Sequence, residues 1–236
     1  VYKRQGKTGA FTIGTLQYID ENLPMPQTII LSPTRELAHQ TCSVFQSLGK
    51  MMNISICLMS GNVSITENIN QLKDNPQIIV CCPGRLNDML RRNILNTTHI
   101  KSLVLDEADE MLSVGFKEQI YQIFQYLPEK ICVSLFSATL PVELHELTKK
   151  FMRDPIEILV KSEMLTLEGI AQYYIALEND NDKFITIKDL FGWISSSQAI
   201  IYCNSLKRVS DLYNAMISDN FPVCCIHSGM DKQELD

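Results

Sequence analysis

Residues 102–109 read Ser-Leu-Val-Leu-Asp-Glu-Ala-Asp, an apolar run that ends in three carboxylates within four positions. The unbroken stretch Leu103-Val104-Leu105 fits a strand covered on both faces, as in a parallel sheet. An aspartate that ends such a strand opposite a phosphate loop can hold Mg²⁺, mostly through water, because that ion prefers oxygen ligands and keeps part of its hydration shell. The next carboxylate, Glu107, would then reach the water that attacks a terminal phosphate. Read alone, the cluster is equally a cap, since Asp and Glu favour helix N-termini and a helix is expected to begin near Ala108.

The same pattern repeats on either side. TIILS (28–32), ISICLM (54–59), QIIVCC (77–82), ICVSLF (131–136) and IEILV (156–160) are further short apolar runs, separated by segments of helical period. One helix is expected over 10–19. A second follows Ser32, with Pro33 at its first position and Leu37, Thr41, Val44, Phe45, Leu48 and Met52 on one face. Strand–helix alternation repeated this often predicts an α/β fold, a parallel sheet with crossover helices. Residues 161–168 (KSEMLTLE) lack this periodicity and read as a linker. The alternation then restarts, with strands expected at 170–177, 199–203 and 222–226 and helices at 182–194 and 206–217.

Sheets of this kind bind ligands at the carboxyl ends of their strands. The residues just after each expected strand are Ser32-Pro33-Thr34-Arg35-Glu36, Ser60-Gly61, Pro83-Gly84-Arg85, Asp106-Glu107-Ala108-Asp109 and Ser137-Ala138-Thr139. Thr34-Arg35 and Gly84-Arg85 place a hydroxyl or an arginine at a helix start, which suits the phosphates of a nucleic-acid backbone and carries no base information. Solvated arginines are the bland alternative. Ser137 and Thr139 suit a helix cap before Pro141, or a hydrogen-bonded link to the acidic cluster one strand away.

Near the N-terminus, Gly6-Lys7-Thr8 matches the second half of a phosphate-binding loop, G-x-x-x-x-G-K-[ST]. The tripeptide alone arises by chance in roughly one chain in twenty of this length. As a loop, Gly6 would admit phosphate to the backbone, Lys7 would reach the β/γ-phosphates, and Thr8 would ligate Mg²⁺. The helix behind it would aim its amides at the anion.

Composition sets limits rather than a function. The 236 residues are 45% hydrophobic and 20% charged, ordinary for a globular chain, and no apolar run approaches the ~18–20 residues of a membrane helix. Eight cysteines occur without a C-x-x-C, and the four histidines (39, 99, 145, 227) stand singly. Core packing in a reduced, intracellular protein is the reading, with neither a disulfide scaffold nor a metal knot. Net charge is −6, divided as −1 up to Val160 and −5 beyond it. A nucleic-acid site must therefore be a local groove and not a basic surface.

Taken in order, GKT, PTRELA, PGR, DEAD and SAT resemble the DEAD-box ATP-dependent RNA helicases. The longer stretches VLDEADEMLSVGFKEQIYQIF, LTLEGIAQYYIALE and AIIYCNSLKRVSDL are similar to the subgroup of eukaryotic translation initiation factor 4A. The resemblance implies a RecA-like lobe over 6–160, the linker 161–168 and a partial second RecA-like lobe over 169–236. It implies ATP and Mg²⁺ as cofactors, single-stranded or short duplex RNA gripped by its backbone, protein regulators, no membrane, a monomer, and a place in cytoplasm or nucleus. By the same resemblance, Gly6, Lys7 and Thr8 bind ATP, and Thr8 and Asp106 hold Mg²⁺. Glu107, with Asp106 and Lys7, is catalytic, and Asp109 with Ser137 and Thr139 couples hydrolysis to RNA. Pro33, Thr34, Arg35, Gly61, Pro83, Gly84 and Arg85 line the RNA path on the first lobe, and Asn204 and Ser205 extend it on the second. A scaffold that keeps the fold without catalysis, and an ATPase with another target, are the competing functions.

Three departures stand out. Cys82 replaces a threonine before PGR, Ser60 replaces the first of two glycines, and Arg4 stands where the loop has a glycine. Val1 to Gln5 is also the translation of a transposon end used in preparing sequencing libraries, so residues 1–5 are expected to be an adapter remnant. The adenine-reading motif upstream and the arginine-finger motifs downstream are missing from the chain, which is expected to be a fragment without unwinding activity and with a marginally stable second lobe.

Overall fold

A computed structural model of the chain describes residues 6–61, 63–113, 115–159, 171–179, 182–194 and 198–230. Two compact units divide at residue 169. The expectations for residues 1–5 and for the linker 161–168 lie outside the described residues.

The first unit is a five-stranded parallel sheet. In chain order its elements are α1 (Lys7–Tyr18), β1 (Thr28–Leu31), α2 (Arg35–Leu48), β2 (Ile56–Met59), α3 (Ile65–Lys73), β3 (Ile78–Cys81), α4 (Pro83–Arg91), β4 (Ser102–Asp106), α5 (Ala108–Ser113), α6 (Lys117–Tyr126), β5 (Cys132–Phe136) and α7 (Val142–Phe151). The strands lie in the order β2-β3-β1-β4-β5. Register aligns their carboxyl ends: Leu31 sits beside Cys81 and Leu105, Met59 beside Cys81, and Asp106 beside Phe136. Every loop singled out in the first unit from β1 onward therefore opens on one edge of the sheet.

Alternation along the strands builds two cores. Ile29, Leu31, Met59, Ile79, Cys81, Leu103 and Leu105 face α4, α5, α6 and α7. Ile30, Ile78, Val80 and Val104 face α1 and α2, where Phe11, Ala38, Cys42 and Phe45 close the layer. With apolar neighbours on both faces, β1, β3 and β4 read as continuous hydrophobic runs.

Several boundaries differ from expectation. Helix α2 begins at Arg35, because the Thr34 hydroxyl accepts the Leu37 amide at 3.2 Å and makes Thr34 the cap; Pro33 lies outside the helix. Its buried stripe is Ala38, Thr41, Cys42 and Phe45, and Leu48 is exposed. Segment 156–159 forms no strand: its pattern is apolar, but it gains no ladder partner, and Ile156 and Ile158 are 91% and 89% exposed.

The second unit contains α8 (Asp182–Trp193) and α9 (Leu206–Ser218). Phe191 meets Phe221 at 5.8 Å between ring centroids, and Lys188 pairs with Asp219 at 2.8 Å. None of 171–177, 199–203 and 222–226 is a strand among the described residues. Their β-branched and aromatic character becomes a strand only when a neighbour completes the backbone ladder; instead Ile200 and Tyr202 stand 80% and 89% exposed. All eight cysteines are free. Cys42, Cys57 and Cys81 are core residues, as the sequence suggests, whereas Cys132 and Cys224 are exposed.

Candidate active site

Strand β4 ends on Asp106, buried at 5% exposure. Burial, followed by the neighbouring Glu107 carboxylate, pushes its acid up to about 6 against the pull of Lys7 and the Glu107 backbone amide. Glu107 itself takes a left-handed φ of 49°. The other non-glycine residues with positive φ among the described residues are all Asn or Asp, which adopt that region readily, so Glu107 is the costly case. Strain of this kind, about 1–3 kcal/mol, collects at functional sites. Here it turns the chain from β4 into α5 and presents the Glu107 carboxylate to Lys7, 3.2 Å from its ammonium. Both side chains are nearly enclosed, at 12% and 13% exposure.

Lys7 opens α1 and Gly6 caps it with φ 77°. No atom lies within 4 Å of where a Gly6 side chain would start, so the conformation and not the space requires glycine. The ladder of α1 begins with the Ala10 amide on the Gly6 carbonyl at 2.9 Å. The amides before it remain available to an anion. Thr8, half-buried, sits one position into the same turn. A phosphate at this helix start would meet the ammonium that Glu107 now holds.

Asp109 in α5 accepts the Thr139 hydroxyl at 2.6 Å and the Thr139 amide at 3.1 Å. Ser137 faces the same carboxylate and donates to the Thr139 carbonyl at 2.6 Å. Burial opposes the Asp109 charge, but the hydrogen bonds from Thr139, Ser137 and the Glu110 amide outweigh it and hold the acid below its ordinary 3.8. Helix α7 is entered through Pro141, with no side-chain cap. Ser137 and Thr139 are thus engaged by the acidic cluster and do not cap the next helix.

The RNA-path candidates fall after β1, β2 and β3. A side chain on Gly61 would begin 2.8 Å from the Arg35 Nε and 3.0 Å from its Cζ, so glycine here makes room for that guanidinium. Pro33 and Pro83 are buried, Pro83 as the first residue of α4. Gly84 is exposed beside it, and Cys82 precedes α4 without capping it. Arg85 is already engaged: it donates to the Asn68 Oδ1 at 2.7 Å and to the Val63 carbonyl at 3.1 Å. Asn68 carries no sequence signal, because a polar residue inside an amphipathic helix reads as solvent-facing until the fold buries it. In the second unit, Asn204 is exposed and Ser205 caps α9 by accepting the Arg208 amide at 3.3 Å.

Among the described residues no group of three or more His, Cys, Asp or Glu forms a metal cage. Asp106 and Thr8 offer hard oxygen donors. That sparse set fits Mg²⁺, which takes few protein ligands and completes its shell with water and substrate phosphate.

The DEAD/DEAH box helicase family profile matches residues 5–147. The chain is 47% identical over 231 residues to the ATP-dependent RNA helicase eIF4A of Phaeosphaeria nodorum, covering 98% of this chain and 58% of that protein. Among solved structures it resembles S. cerevisiae Dbp5 bound to RNA and ADP BeF3, with a TM-score of 0.79 at 31% identity, covering 97% of this chain and 58% of the other. Dbp5 bound to a Gle1 variant and IP6 gives 0.73 at 31% identity, with 99% and 58% covered. A DEAD box protein from the hyperthermophile Methanococcus jannaschii gives 0.66 at 31%, with 100% and 62% covered. The chain thus spans under two thirds of the length of these relatives.

Proposed function

The chain belongs to the DEAD/DEAH box helicase family, and from that premise we propose that it carries the ATP-hydrolysing and RNA-gripping faces of an ATP-dependent RNA helicase. The observation that carries the reading is the pairing of Lys7 with a strained, nearly enclosed Glu107 at the mouth of the sheet. ATP is bound with its phosphates over the start of α1, where the free amides and Lys7 meet them. Lys7 exchanges Glu107 for phosphate oxygen, and the released carboxylate orients the attacking water and takes its proton. Mg²⁺, held by Thr8 and Asp106 in part through water, would neutralise charge on the phosphates.

The RNA backbone is taken by the loops after β1, β2 and β3, with Pro33, Thr34, Arg35, Gly61, Pro83 and Gly84 as the contact surface, and by Asn204 and Ser205 of the second unit. Asp109, Thr139 and Ser137 link the two sites, because a shift of the segment after β5 alters the hydrogen bonds at α5 next to Glu107. Protein regulators are part of the proposal, supported by the likeness to Dbp5 bound to Gle1. No described helix is long and apolar enough to cross a membrane; the free cysteines suit an intracellular setting, cytoplasm or nucleus. We take the protein to act as a monomer.

RNA affinity measured with and without ADP–beryllium fluoride tests the link. Binding of a fluorescein-labelled oligouridylate should tighten at least tenfold with the nucleotide. Equal affinity in both states would favour the non-catalytic scaffold.

A further inference from the structure

Arg85 lies on the candidate RNA face, yet its guanidinium is turned inward. It is half-buried, with one terminal nitrogen on Asn68 at 2.7 Å and the other on the Val63 carbonyl at 3.1 Å. Asn68 has no exposed surface at all. Its Nδ2 donates to the Gln71 Oε1 at 3.1 Å, and the Cys57 thiol lies 3.6 Å from the same oxygen. A hydrogen-bonded chain therefore runs from β2 through α3 to the first turn of α4. Both ends matter. The Val63 carbonyl belongs to the turn that carries Gly61, closed by the Val63 amide on the Ser60 carbonyl at 3.3 Å and by Ser64 capping α3. Arg85 follows Gly84 directly.

We propose that Arg85 is a strut and not a phosphate ligand: through Asn68 and Val63 it locks the Gly61 turn and the α4 start into one rigid RNA-facing surface, with Asn68 as the positioning residue. This rests on the reading of that face as an RNA path. A planar guanidinium spans two acceptors at fixed spacing, which a lysine ammonium does not reproduce. A fully buried amide with a partner on each polar atom, one of them the arginine, is a support, since Asn68 exposes no surface on which to meet a ligand.

The two roles of Arg85 separate by charge and by salt. For a strut, Arg85→Lys should weaken oligouridylate binding about tenfold, as far as Arg85→Met does. The slope of log affinity against log salt should stay unchanged in both. For a phosphate ligand, Arg85→Lys should be nearly silent and Arg85→Met should flatten the slope by about 0.7; that pattern would overturn the proposal. Asn68→Leu should match Arg85→Met, with no further loss in the double variant. Additive losses would overturn the shared strut. Amide hydrogen exchange in the RNA-free chain judges the strut independently of the RNA reading. Arg85→Lys should speed exchange at Val63 and Leu86 at least tenfold; unchanged exchange there would refute it, whatever the RNA measurements give. Failure to bind RNA with an intact exchange response would instead count against the RNA path alone.

Discussion

Glu107→Gln is expected to lower ATP turnover by about 10²–10⁴-fold, the usual worth of a general base, while nucleotide-dependent RNA binding persists. The substitution keeps the size and one acceptor of the side chain and removes its charge. That charge lies 3.2 Å from the Lys7 ammonium, so under the proposed function ATP would compete with Glu107 for Lys7. Without the charge, ATP affinity should be unchanged or several-fold tighter. The split between binding and turnover is the informative part. If Glu107 served only as an ion-pair partner, removing it would leave a nearly enclosed ammonium uncompensated and cost stability, with turnover following the folded fraction. Turnover and ATP affinity measured on protein extended to the length of its relatives, beside urea melts of both forms, distinguish the two.

Asp106→Asn should move stability and activity in opposite directions. The Asp106 acid is raised from 3.8 to about 6, mainly by burial and then by Glu107. Between those two values the folded state holds a proton that the unfolded state has released, so stability falls as pH rises through that window and levels off above it. The full cost, about 3 kcal/mol as an upper figure, is therefore present at neutral pH and absent below about pH 4. Replacing the acid by asparagine removes it. The variant should be about 1–3 kcal/mol more stable than the parent at pH 7 and nearly equal near pH 4, while turnover drops at least 100-fold for want of the carboxylate that would hold Mg²⁺. A variant less stable at pH 7 would show that Asp106 is a structural residue whose charge the fold needs.

Much of the first unit was legible because its determinants are local. Unbroken apolar runs mark strands covered on both faces, and the rule that ligands gather at strand ends points to the loops after β1 to β5. Pairings such as Lys7 with Glu107, 100 positions apart, are not written in either motif; they follow only from a sheet order that brings α1 over the end of β4. The start of α2 is ambiguous in the sequence because Pro33 and Thr34 both suit a helix entry, and only the bond from the Leu37 amide to the Thr34 hydroxyl chooses between them. At 156–159, 171–177, 199–203 and 222–226 the pattern carries propensity but not partners, and a strand without a ladder is only an extended apolar segment. The place of Arg85 in PGR carries no sign of its bonds to Asn68 and Val63, because the burial of Asn68 is a tertiary property.

The most direct test of the account is ATP turnover with and without single-stranded RNA, on protein extended to the length of its relatives. Linked nucleotide and RNA sites predict slow hydrolysis alone and stimulation by RNA of at least tenfold, lost in Glu107→Gln. Hydrolysis at the same rate with and without RNA, or none in either case, would contradict it.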